Sequence, residues 1–132
     1  MMTPITVIYA SVLALMLIAL SVNVVRTRMR FKVGLGDGGK DELMRAVRTQ
    51  ANFVEYVPIT LLLLFFMEQS GAAAWGMHLF GSVLIIGRVS HAYSVLVNET
   101  KTGGLKFRQL GMFATWSVMG GLALCLLSRA VL

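Results

Sequence analysis

Residues 4–25, PITVIYASVLALMLIALSVNVV, contain no ionisable side chain and are followed at once by Arg26, Arg28, Arg30 and Lys32. An α-helix rises about 1.5 Å per residue, so this stretch is long enough to cross a hydrocarbon core of ~30 Å. A cleavable leader would place its basic residues before a shorter apolar stretch and end in small residues. Here the basic residues come after the apolar ones, which is the pattern of a retained anchor helix.

Three further runs follow. Thr49–Met67 carries one charge, Glu55, and one proline, Pro58. A third run begins near Ala72 and continues to about Val97, with Arg88 and His91 in its later half, and a fourth covers Gln109–Ser128 without a charge. Over the 132 residues, 57% are hydrophobic and 14% charged, with a mean hydropathy of +0.76. A soluble domain carries roughly 25% charged residues, and a chain this small has too much surface to hide such an apolar excess. The composition excludes a soluble monomer, and disorder needs the opposite balance. The expected fold is an all-α integral membrane domain over residues 1–132, a four-transmembrane-helix bundle with helices at about 4–25, 44–67, 72–97 and 107–130.

The lysines and arginines set the expected orientation. The first loop and its flank hold Arg26, Arg28, Arg30, Lys32, Lys40, Arg45 and Arg48; the third loop holds Lys101, Lys106 and Arg108. The second loop and the N-terminal tail have no basic residue. Basic loops stay in the cytoplasm, so loops one and three are expected inside and both termini outside. The net charge of +6 then reflects topology and attraction to anionic lipid heads. It does not point to nucleic acid, whose platforms interleave aromatic residues with the charges.

The glycines at 34, 36, 38 and 39 read as a turn between spans. They lack the Gly-Lys-Ser/Thr ending and preceding strand of a phosphate loop. Cys125 is a lone cysteine and reads as a small packing residue. Ser117, Gly121 and Cys125, four apart, suggest a thin stripe for close packing of the fourth helix, and Pro58 suggests a bend in the second. No His/Cys/Asp/Glu grouping has metal-ligand spacing, so no metal is expected.

A charge at the bilayer centre costs ~2.5–3.5 kcal/mol on insertion scales and therefore tends to face a cavity or a partner. Arg45, Arg48, Asn52 and Glu55 recur at i, i+3, i+7 and i+10, along one stripe of the second helix. Arg88, His91 and Asn98 form a second stripe on the third helix, and Lys106, Arg108 and Gln109 open the fourth. Antiparallel neighbours bring these groups to one level near the inner leaflet. The pattern describes a polar pocket open to the cytoplasm, dominated by Arg48, Arg88 and Arg108 with Glu55 opposing them. An anion that also bears an amino group would suit it, since arginines fork onto carboxylates. A structural reading is also open: Glu55 and an arginine neutralise each other, and Asn52 joins helices.

The segment Arg48-Thr-Gln50-Ala-Asn52-Phe-Val-Glu55-Tyr56-Val-Pro58 resembles the signature of the MAPEG family, the membrane-associated proteins of eicosanoid and glutathione metabolism. Gly87-Arg88-Val89-Ser90-His91 resembles the matching part of the third helix in that family. The glycine-rich first loop and Lys106-Phe-Arg108-Gln-Leu-Gly111 look like its short bacterial branch. The resemblance implies a homotrimer in the bacterial inner membrane, with glutathione as co-substrate in a cleft between subunits. By position, Arg48, Gln50, Asn52, Glu55 and Tyr56 would hold the tripeptide, with Arg88 and His91 from the third helix and Arg26 or Arg28 from the end of the first. Arg108 matches the arginine that activates the thiol. Two positions depart from the pattern. Val95 stands where the family often has tyrosine, and the long spacing from Arg88 to Arg108 makes Lys106 a competitor for the activating role.

The resemblance implies a glutathione-dependent transferase or peroxidase acting on lipophilic electrophiles or lipid hydroperoxides. The alternative is a non-catalytic lipid-binding scaffold of the same fold. A proton-coupled multidrug exporter would want a carboxylate in the first helix, which has none.

Overall fold

Pro4 stands at the first helical position, where a missing N–H costs least. In the computed structural model, which describes residues 3–131, α1 runs from Pro4 to Phe31. It is followed by α2 (Asp41–Gln69) and α3 (Ala74–Tyr93). The third span continues through a π-helical turn at Ser94–Asn98 into the one-turn α4 (Glu99–Thr102). The fourth span is α5 (Lys106–Val131). Among the described residues there are thus four helical spans long and apolar enough to cross a membrane, counting Ala74–Thr102 as one.

Two boundaries differ from expectation. The first helix does not stop near Val25; Arg26, Arg28 and Arg30 lie on its last turns. Arg and Met are good helix formers, and the end comes only at Lys32, left-handed at φ 54°, whose N–H caps the Arg28 and Met29 carbonyls. The third span, expected as one α-helix to about Val97, changes to π geometry after Tyr93. Among the described residues α2 passes through Pro58 without interruption.

The spans alternate in direction, and contacts at one end of the bundle fix this. The Glu68 carboxylate, near the end of α2, accepts the Ile5 N–H at 3.0 Å and the Thr6 N–H at 2.8 Å. It fills two of the donors that a helix N-terminus leaves open and places a negative group at the positive end of the dipole. Arg129, at the end of α5, donates to the Ser70 carbonyl at 2.7 Å. The Tyr9 hydroxyl sits 3.1 Å from His78 Nδ1 and 3.0 Å from Ser82 Oγ. Its ring lies on Gly81, where a Cβ would overlap it. The opposite end holds the glycine turn and α4, and with them the lysines and arginines of the first and third loops.

Leu13, Leu20, Phe53, Val57, Leu64, Met77, Leu84, Val118 and Leu122 form the buried core. Apolar burial adds little between helices already in lipid, so close packing has to hold them. The closest approach is between α3 and α5: a Cβ on Gly111 would stand 2.5 Å from the Gly87 carbonyl oxygen and 2.7 Å from the His91 nitrogen. This contact rotates α5 so that Gly111, Thr115, Val118 and Leu122 face inward. The small-residue stripe expected at Ser117, Gly121 and Cys125 is therefore not the main seam: Ser117 is exposed and the other two are half-buried.

Candidate functional site

The α2 spacing of Arg45, Arg48 and Asn52 brings all three to one cavity at the basic end. The cavity measures about 260 Å³ and is walled by Met44, Arg45, Arg48 and Asn52 of α2, His91 and Val95 of the third span, Glu99 of α4 and Arg108 of α5. Beneath it lies Arg88, 2% exposed. Its Nη1 donates to Asn52 Oδ1 at 2.8 Å, and its Nη2 donates to the Gly111 carbonyl at 3.3 Å. Its Nε is buried with no hydrogen-bond partner among the described residues. No carboxylate pairs with Arg88 among the described residues. A guanidinium so placed is held by dipoles alone, an expensive arrangement that structures keep mainly where a site uses the charge.

The glycine contact explains how Arg88 finds a backbone acceptor. Because Gly111 has no side chain, α5 lies close enough for its carbonyl to meet the guanidinium, while the same carbonyl accepts the Thr115 hydroxyl at 2.9 Å. Ser90 donates to the Phe107 carbonyl at 2.8 Å, and Tyr93 meets the Phe107 ring edge-on. These contacts anchor the first turn of α5 and with it Arg108.

Of the residues singled out in the sequence, Arg48, Asn52, Arg88, His91 and Arg108 converge here. Arg48 and Arg108 are solvent-facing, and His91 is buried. The others lie elsewhere in the chain. Gln50 donates to Ser21 Oγ at 2.8 Å and joins α2 to α1. Tyr56 packs against Trp116, ring centres 6.5 Å apart. Arg28 donates to the Gly36 carbonyl at 2.8 Å and braces the first loop. Arg26 is exposed beside a groove along α1 formed with Leu17, Ile18, Val22 and Met29.

Within one chain Glu55 does not reach this cavity. The sequence stripe placed it in the pocket opposite the arginines, but its side chain is exposed on α2 and makes no ion pair among the described residues. The reason is angular: i+10 from Arg45 returns only roughly to the same face, and Phe53 and Val57 turn inward around it.

The carboxylate of the pocket is Glu99, a residue the sequence reading passed over. Its Oε2 lies 3.3 Å from Arg45 Nη1 and 3.7 Å from Arg108 Nη1, and its Oε1 accepts the Ser94 hydroxyl at 3.1 Å. Arg45 also reaches the Val95 carbonyl at 3.5 Å. The signal was present: positions 88, 91, 95 and 99 follow i, i+3, i+7, i+11 on one helical face.

Four helical spans long and apolar enough to cross a membrane, with an arginine-rich pocket at one end, define a helical membrane bundle. A profile of the MAPEG family matches residues 6–128, and the chain belongs to the MAPEG family. It is similar to the inner membrane protein YecN from two strains of Escherichia coli, in each case 41% identical over 115 residues, covering 87% of this chain and 84% of the relative. Members of the family include glutathione transferases and peroxidases.

Proposed function

We propose that the protein is a glutathione-dependent membrane transferase or peroxidase acting on lipophilic electrophiles or lipid hydroperoxides. The observation that carries this reading is the convergence of Arg45, Arg48 and Arg108 on one cavity, above the buried Arg88, whose wall among the described residues carries a single carboxylate, Glu99. Such a site favours an anionic ligand, and arginine matches carboxylates in forked pairs.

The chemistry follows from the thiol. A free thiol has a pKa of about 8.5, so at neutral pH little of it is the nucleophilic thiolate. Arg108, at the mouth, favours the thiolate electrostatically. In conjugation the thiolate forms a carbon–sulfur bond and the electrophile releases its leaving group or takes up a proton. In hydroperoxide reduction the thiolate attacks the distal oxygen and the O–O bond breaks. The alkoxide takes a proton, and a second thiol converts the sulfenic acid to disulfide and water.

The cavity of one chain, about 260 Å³, is below the ~300–1,000 Å³ usual for small-ligand sites. A homotrimer accounts for this: Glu55 and Arg26 are exposed and would form walls against a neighbouring subunit. In that assembly Glu55 receives the ligand ammonium. The same reading places the protein in the inner membrane, as for the YecN relatives, with the basic loops in the cytoplasm and both termini outside.

The test is to add glutathione to detergent-solubilised protein and record thiolate absorbance together with binding by calorimetry. Binding with a thiolate signal is expected. Absence of binding at millimolar glutathione overturns the proposal. A second reading, a lipid-binding scaffold, draws on the α1 groove with Arg26 at its basic end. It predicts co-purified lipid and no turnover.

A further inference from the structure

Among the described residues Glu99 is the one acid on the wall of a cavity that also gathers three guanidinium groups, those of Arg45, Arg48 and Arg108. Its side chain is 7% exposed, so it lies within the site and not at its rim. One oxygen rests between Arg45 and Arg108, at 3.3 and 3.7 Å, and the other is fixed by Ser94 at 3.1 Å. These are the positions at which two arginines from facing helices would grip the carboxylate of a bound ligand. The chain therefore fills its own anion seat.

The backbone that carries Glu99 is unlike the rest of the spans. It follows the five-residue π turn Ser94–Asn98, opens a single turn of helix, and is released by Gly103 at φ 68°. Asn98 and Thr102 hold this turn by local bonds, Nδ2 to the Gly104 carbonyl at 2.9 Å and Oγ1 to the Asn98 carbonyl at 2.9 Å. α4 contributes no residue to the buried core. One turn with few packing contacts can move at small cost, whereas Arg45 and Arg108 stand on long helices. π turns within α-helices are frequently found at functional positions.

We infer that Glu99 is a displaceable internal counter-ion that sets which anions the pocket admits. In the empty site it neutralises Arg45 and Arg108; an entering carboxylate takes over both arginines, and Glu99 withdraws on α4. Weak or singly bonding anions do not displace it, whereas a ligand that engages Arg48 as well does. The inference rests on the glutathione reading only for the identity of the displacing ligand.

The experiment compares wild type with Glu99→Gln and Ser94→Ala by calorimetry in detergent, using glutathione and, separately, inorganic phosphate. A spin label at Thr102→Cys, in a Cys125→Ser background, reports the motion of α4. Glu99→Gln is expected to bind phosphate about tenfold more tightly, the ratio of one released charge-assisted bond, and to show a more mobile label. Ser94→Ala, which loosens the carboxylate and keeps its charge, moves both readings the same way by about twofold. Wild type should gain label mobility on adding glutathione. If Glu99→Gln binds phosphate and glutathione no better than wild type, or binds neither, the inference is overturned. If phosphate tightens while glutathione fails to bind any variant, the displaceable carboxylate stands and the glutathione reading falls.

Discussion

The Arg88 guanidinium donates to Asn52 Oδ1 at 2.8 Å, joining α3 to α2 beneath the pocket floor. Removing one partner alone strands a buried polar group, which costs more than removing both. Asn52→Ala is expected to lower stability by about 1–3 kcal/mol. Arg88→Met removes the guanidinium itself. The double variant should recover most of the stability lost in Asn52→Ala, while all three lose glutathione binding. Thermal unfolding in detergent and calorimetry check both halves.

Arg108 reaches the cavity mouth from a turn anchored by the Ser90–Phe107 contact. Arg108→Ala should abolish the thiolate absorbance and reduce turnover by roughly 10²–10³-fold, the usual effect of removing one charge-stabilising donor. Lys106 is exposed and does not line the cavity, so Lys106→Ala should leave the thiolate signal intact. The opposite pattern would exchange their roles.

The Gly87–Gly111 approach gives a prediction without any charge. Gly111→Ala places a methyl group against backbone atoms 2.5 and 2.7 Å away, and overpacking of this kind costs about 1–3 kcal/mol. It should also weaken the Arg88–Gly111 bond and lower ligand affinity. Gly120→Ala, which meets nothing within 4 Å, should be neutral or raise the midpoint through its helix propensity.

At the far end, Glu68→Gln removes the charge and leaves one acceptor oxygen for the Ile5 and Thr6 amides, the side-chain NH2 facing the other N–H as a second donor. The expected effect is a loss of about 1–3 kcal/mol in stability, from one lost charge-assisted bond and the lost charge at the helix end, with no change in glutathione binding. A change in binding would mean that the two ends are coupled.

Much of this was legible from residue order. Apolar runs separated by charges mark spans because lipid admits little else, and the α2 stripe brought Arg48 and Asn52 to the site. Glu55 was misplaced because a stripe over ten residues drifts, and only the packing of Phe53 and Val57 reveals the rotation. Glu99 was missed for a different reason. It lies past the apolar run, where a carboxylate reads as a loop residue, and the π turn that carries the helix onward has no composition of its own. The Gly111 carbonyl could not be foreseen as a partner of Arg88, since a main-chain atom has no letter in the sequence.

That Arg88 is balanced by an amide and a carbonyl has a consequence for how fast a ligand arrives. An ion pair cancels its own field within a few ångströms, whereas a cation surrounded by dipoles keeps its net charge at a distance. With Arg45 and Arg108 compensated by a single carboxylate, the mouth of the bundle projects an uncancelled positive potential toward approaching anions. Association should be electrostatically steered, its rate falling steeply with ionic strength. Dissociation, governed by contacts inside the cavity, should respond far less. Stopped-flow measurements of glutathione binding over a salt series separate the two rates.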